Sequence, residues 1–216
     1  MTRVERILTI LLVILLVAVV VMAVLFWLRP GGGNPAGNSI GVGLEPTSVF
    51  QGQTAQVAFA SAQAAARGWQ PDAQLLKATA TWPQGTGRDK LIQGESTWNF
   101  TFYAPASQSI AVITITDGQA SLDSTKTLSE PIVPAPLDIT GWQLDSRAAI
   151  QRMLAAGGDS FLSSASYTIL TVALTTSNES QRIEWLISLL ATQSGSAYTM
   201  RIDATTGEIL EIIQSP

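Results

Sequence analysis

With no histidine and no cysteine among its 216 residues, the chain holds few side chains suited to chemistry: hydroxyls, carboxylates and a handful of amines. Their absence removes disulfides, thiol nucleophiles, thiolate metal sites and imidazole acid–base catalysis. What remains is Ser–Lys chemistry, paired carboxylates and cations held by oxygen. The lysines are Lys77, Lys90 and Lys126, and none lies near a Ser-x-x-Lys or Gly-x-Ser-x-Gly pattern. No catalytic residue, cofactor site or metal ligand is therefore expected, and the inventory points away from an enzyme.

The remaining candidates each have a structural reading. Asp203 and Glu208 flank Thr205-Thr206-Gly207 and could share a hard cation, but turn polarity explains them better. Asp72 and Asp159 read as residues that cap or orient the segment after a helix, not as a catalytic pair. Trp98 and Trp185 could stack a ligand; their places on strand faces favour core anchors. Asn99-Phe-Thr101 and Asn178-Glu-Ser180 match a glycosylation pattern short enough to arise by chance. Gly31-Gly-Gly33 is followed by no Lys-Ser or Lys-Thr pair, so it reads as a spacer, not a phosphate cradle. Pro83 to Lys90 reads as a solvated loop.

The elements that must carry these residues begin with an anchor. Ile7 to Leu28 holds no charge and one hydroxyl, Thr9, and is long enough to cross the roughly 30 Å hydrocarbon core as a helix. Trp27 at its distal edge suits the interfacial aromatic belt. Its length exceeds the apolar region of a cleaved secretory signal, which favours an uncleaved tether. Arg3 and Arg6 before the span, against Arg29 after it, place residues 1–6 in the cytoplasm and the rest outside. Its partner is then the lipid bilayer, through Ile7 to Leu28. Across the whole chain 12 Lys and Arg face 16 Asp and Glu, for a net charge of −4. Neither sign forms a block, so nucleic acid is not an expected partner.

Residues 29–40, rich in Gly, Pro, Asn and Ser, form a flexible linker. Beyond it the chain repeats itself at a displacement of roughly 87 positions: Asp72 falls on Asp159, Leu75 on Leu162, Ala78 on Ala165, Trp98 on Trp185 and Phe100 on Ile187. In the second copy, Asp145 or Ser146 caps a helix that presents Ala149, Ile150, Met153 and Leu154 on one face. Gly157-Gly158 is expected to stop it. Strand-like runs follow at Tyr167 to Leu174, Ile183 to Leu190 and Ala197 to Asp203, then a Thr205-Thr206-Gly207 turn into Glu208 to Ile212. In the first copy an Ala-rich helix around Ser61 to Arg67 precedes strands at Leu75 to Thr81, Trp98 to Tyr103 and Ile110 to Thr116, with Asp117-Gly118 as a hairpin turn. Val42 to Phe59 fits either a strand and turn or the early part of that helix. The Pro-rich stretch Glu130 to Pro136 separates the copies.

The runs Gly141 to Ile150 and Gly157 to Leu162, then Trp185, then Tyr198 to Leu210 closing on Ile202-Asp-Ala-Thr-Thr-Gly-Glu-Ile-Leu210, resemble PepSY-type domains. Gly68 to Leu75 is similar to a variant of that module. The resemblance implies an α+β fold: an N-terminal transmembrane helix followed by two cystatin-like modules, each a helix on an antiparallel sheet. They would span 41–130 and 139–216, joined by a linker at 131–138. It also implies a binding or regulatory role toward an envelope peptidase, another envelope protein or a peptide, and brings no catalytic residues. The alternative is a structural or assembly protein that acts by self-association or spacing.

Overall fold

The computed structural model describes residues 53–94, 97–129, 135–165, 168–177 and 180–215. All lie in one compact unit, Thr47–Pro216. The expected span Ile7 to Leu28 and the linker at 29–40 fall outside the described residues, as do Asn178 and residues 131–134. Among the described helices none is long and apolar enough to cross a membrane.

Helix α1 (Ala55–Trp69) leads into β1 (Gln74–Trp82), a short helix α2 (Arg88–Gln93), β2 (Thr97–Ala104), β3 (Ser109–Thr116) and β4 (Gln119–Thr127). The second half repeats the plan: α3 (Ser146–Met153), a wide π-type turn over Leu154–Gly158, α4 (Asp159–Ser164), then β5 (Thr168–Thr176), β6 (Ile183–Ala191), β7 (Ala197–Asp203) and β8 (Ile209–Ser215). All eight strands belong to one sheet in the order β4-β3-β2-β1-β5-β6-β7-β8.

That order corrects the expectation of two separate helix-on-sheet modules. The first strands of the two halves, β1 and β5, pair antiparallel with Ala78 opposite Leu174, Ala80 opposite Val172 and Trp82 opposite Leu170. The physical reason lies in the side chains. Each half alone would leave its first strand as an open edge, with unpaired backbone groups beside apolar residues. Pairing the two first strands removes both edges at once and fuses the halves into a single core.

The aromatic residues show the fusion directly. Trp82 meets Trp98 at 6.1 Å, Trp98 meets Trp185 at 6.4 Å, Trp185 meets Trp142 at 6.0 Å and Trp142 meets Phe59 at 5.6 Å between ring centroids. Ala78 and Ala80, both buried at the centre of the sheet, are short enough to leave room for such rings. Edge contacts of this kind add about 0.5–1.5 kcal/mol per pair beyond the area they bury.

Helix α1 buries a stripe of Ala55, Ala58, Ala62 and Ala66, whose small side chains let the helix lie close to its neighbours. Its first amides are capped from the other half of the chain. Ser146 Oγ accepts from the N–H of Ala55 at 2.9 Å, and Asp145 Oδ1 accepts from the N–H of Gln56 at 3.1 Å. The same Asp145 oxygen also accepts from the N–H of Ser146 at 2.7 Å. One carboxylate thus caps two helices. Gly157 breaks the helical backbone where the sequence places the stop, at a φ of 134°, and a separate short helix, α4, begins directly after Gly158.

Candidate functional site

The two outermost strands of the sheet differ in chemistry. β4, Gln119-Ala-Ser-Leu-Asp-Ser-Thr-Lys-Thr127, is exposed along its whole length and carries Asp123 and Lys126. Its pairing with β3 shifts register between Val112 and Ile113. Charge and a bulge are the usual devices that discourage further strand pairing. β8, Ile209-Leu-Glu-Ile-Ile-Gln-Ser215, carries one charge, Glu211, and its pairing with β7 also shifts register, between Arg201 and Ile202, but its side chains are mostly apolar. No described strand pairs with the free side of either edge.

A stiff hairpin places β8. Asp203 Oδ1 accepts from the N–H groups of Thr205 at 2.8 Å and Thr206 at 2.9 Å. Gly207, at a φ of 75°, supplies the left-handed residue that closes the turn. Thr205 donates its hydroxyl to the Gly141 carbonyl at 2.6 Å, and Arg152 donates to the Gly207 carbonyl. Burial pushes the Asp203 carboxyl up, but the N–H groups of Thr206 and Thr205, with Arg182 nearby, outweigh it and hold the group below its ordinary value. That oxygen is committed to the turn, which is the structural reading of Asp203.

From this turn β8 runs beside β7 with side chains alternating across the sheet. Ile212 lies opposite the buried Met200, on the side where the helices pack, and Ile213 lies opposite Thr199, on the open face. Both stay about half exposed, at 47% and 48%. The strand is therefore apolar on both faces. On the same open face Leu186 and Leu190 of β6 are also exposed, with Thr199 and Arg201 of β7 lying between them and β8. Ser188 and Thr199 share a hydrogen bond of 2.8 Å between their hydroxyls.

The one ionic group on β8, Glu211, is bonded across the sheet. Arg201 of β7 donates to Glu211 at 2.9 Å and to Glu184 of β6 at 3.0 Å. The hydrogen bonds it donates to both carboxylates, Glu211 first, push the guanidinium above its ordinary value. Glu184 is buried at 6% exposure, so the bridge to Arg201 is what makes that position tenable. This three-strand ion row has a sequence signal: Glu184, Arg201 and Glu211 each occupy an outward position in an alternating strand.

The other residues singled out from the sequence sit apart from this edge. Trp98 and Trp185 are fully buried, their indoles donating to the Gln53 carbonyl at 2.9 Å and the Leu144 carbonyl at 2.8 Å. Asp72 accepts from the N–H of Ala106 and orients the β2–β3 turn, whereas Asp159 pairs with Arg88 at 2.9 Å. The two aspartates serve different places. Asn99 accepts from the Thr114 hydroxyl at 2.7 Å within the sheet. The stretch expected as a loop from Pro83 to Lys90 turns helical at Arg88. It lines a shallow depression of about 260 Å³ with Asp159, Ser163 and Thr168. Among the described residues no three carboxylates converge in a way that could hold a metal ion.

No protein-family model matches the chain. No curated protein matches it either. Among solved structures, a candidate lipoprotein from Clostridium difficile 630 is similar over 73% of this chain and 92% of its own, with 10% identity and a TM-score of 0.49. That is a distant likeness and carries no functional inference.

Proposed function

We propose that the chain is a non-catalytic binding protein, tethered to the membrane and folded outside the cytoplasm, that engages an envelope protein or peptide by accepting an extended strand along β8. The observation that supports the reading most is the contrast in side chains between the two edges of one sheet: β4 is polar and charged, whereas β8 presents exposed Ile209, Ile212 and Ile213. Strand addition to such an edge draws affinity from main-chain hydrogen bonds and selectivity from alternate side chains. The tether follows from the Ile7 to Leu28 run. The non-catalytic assignment follows from a chain without histidine or cysteine.

The test is a photo-crosslinking residue placed at Ile213, or at Ser121 on β4 as the control, in cells that express the full chain. The reading predicts a discrete covalent adduct from position 213 and none from position 121. Equal adducts from both, or none from 213, would end it.

A further inference from the structure

Strand addition at β8, once accepted as the mode of binding, raises the question of what strand fits. Any occupant must be extended over about seven residues, carry no unneutralised charge, and present apolar side chains to both faces. Facing it, Ile209–Ser215 offers Ile209 and Ile212, opposite the buried Ile202 and Met200, toward the helix side and Ile213 toward the open face, with Glu211 already bonded to Arg201. β8 itself comes close to these requirements, its one charge, Glu211, being held by the Arg201 it shares with Glu184. β4 fits less well, because it is polar along its whole length and brings two charges, Asp123 and Lys126, against the isoleucines of β8. The fold already uses the same operation internally, since its two halves join by antiparallel pairing of equivalent strands, β1 with β5.

We propose that the occupant of the β8 edge is the β8 strand of a second copy of this chain, paired antiparallel about a two-fold axis at Ile212. This rests on the strand-addition reading above and names its partner. Ile212 is the middle residue of Ile209–Ser215, so a two-fold pairing that uses the whole strand sets Ile212 opposite itself. Glu211 then faces Ile213 of the other copy, and the half-exposed Ile212 side chains of the two copies meet at the axis. A two-fold contact closes after one event, whereas β8 against β4 would propagate without end.

The strand is about 24 Å long at 3.4 Å per residue, so the edge alone buries less than the roughly 1,200–2,000 Å² of a standard stable interface. Association is therefore weak in dilute solution and grows when copies share one bilayer, where tethering raises their effective concentration.

The absence of native cysteine makes the test clean. Directly opposite residues of an antiparallel pair have Cα atoms about 4.5–5.5 Å apart, within the reach of a disulfide. In full chain held in detergent micelles under mild oxidation, Ile212→Cys should form a covalent dimer in at least about tenfold greater yield than Leu122→Cys on β4. Ile212→Lys and Ile212→Glu, each placing like charges at the axis, should each lower the dimer fraction, and mixing the two should restore it. The rescue separates a lost contact from a lost fold, and any association of the membrane segments is common to all variants.

Cross-linking no better at 212 than at 122, or Lys and Glu variants that associate as the unsubstituted chain does, would overturn the proposal. If the probe at Ile213 captures a different protein while Ile212→Cys stays monomeric, strand addition stands and the second copy is ruled out. If neither forms an adduct, both readings fall.

Discussion

Asp145 offers the sharpest perturbation of the fold, because one side-chain oxygen holds two helix starts from opposite halves of the chain. Its Oδ1 accepts from the N–H of Ser146 at 2.7 Å in α3 and from the N–H of Gln56 at 3.1 Å in α1. Removing a helix cap costs about 1 kcal/mol, within a range of about 0.5–2. Two caps lost together give about 2 kcal/mol for Asp145→Ala. For a domain of about 150–250 residues each kcal/mol moves the midpoint by about 2–4 °C, so the expected fall is about 4–8 °C. Asp145→Asn keeps the accepting oxygen and should lose less than about 1 kcal/mol. The assay is thermal and urea unfolding followed by tryptophan fluorescence, with near-ultraviolet circular dichroism as a second probe. Because the halves share one sheet and one core, the transition should stay single and move as a whole. An Ala variant as stable as the original would refute the shared cap. A two-step transition in which only one step moves would refute the single cooperative sheet.

Three further expectations follow from the same geometry. The Leu144 carbonyl accepts from the indoles of both Trp142, at 3.0 Å, and Trp185, at 2.8 Å. Trp142→Phe and Trp185→Phe should each cost about 1–2 kcal/mol, and the double variant should exceed their sum by about 1 kcal/mol, because only then is the carbonyl left without a donor. Arg201→Ala strands the buried Glu184 and should cost about 3 kcal/mol, whereas Glu211→Ala removes an exposed partner and should cost less than about 1 kcal/mol; urea midpoints distinguish them. Stability should also fall in acid. The Asp203 carboxyl is held below its ordinary value when folded, so its contribution is present above the unfolded value of about 3.9 and is lost as pH drops through the lowered one. Asp138 shifts in the same direction because Thr140 donates to it. Asp203→Asn should flatten the stability profile below about pH 4 relative to the unsubstituted chain.

The strands that bury one face were legible from alternation. Ala197–Asp203 forms as expected, with Tyr198, Met200 and Ile202 buried, and Ile183–Ala191 runs one residue beyond the expected end. β4 left no such trace. Its residues are exposed on both sides, so its order comes from the backbone ladder to β3 and not from a hydrophobic pattern. Helix α1 starts at Ala55, resolving the segment before Phe59 in favour of helix for the residues described. Its buried stripe is alanine, which carries a weak periodic signal beside the surrounding small residues. The repeat holds at Trp98 and Trp185, which occupy matching second strands, but fails at Leu162 and Ala165. Those lie in and just after α4, where the first half has a strand, because the kink at Gly157 inserts an extra helix before β5. The union of β1 with β5 was not legible at all. Partner choice between strands is non-local, and Ala-Thr-Ala-Thr in the middle of β1 says only that its neighbours must be large. The candidate edge strand was visible as Glu208 to Ile212 after the turn, against Ile209–Ser215 in the structure; that its far side stays open depends on the sheet order.

Amide hydrogen exchange across the two outer strands tests the central claim most directly. If β8 is the edge through which this chain binds a second copy of itself, the amides of Ile209–Ser215 on the side away from β7 should gain protection as the concentration of full-length chain rises, and those of Gln119–Thr127 on β4 should not. Equal exchange from both edges at every concentration, with no bound strand on either, would contradict it.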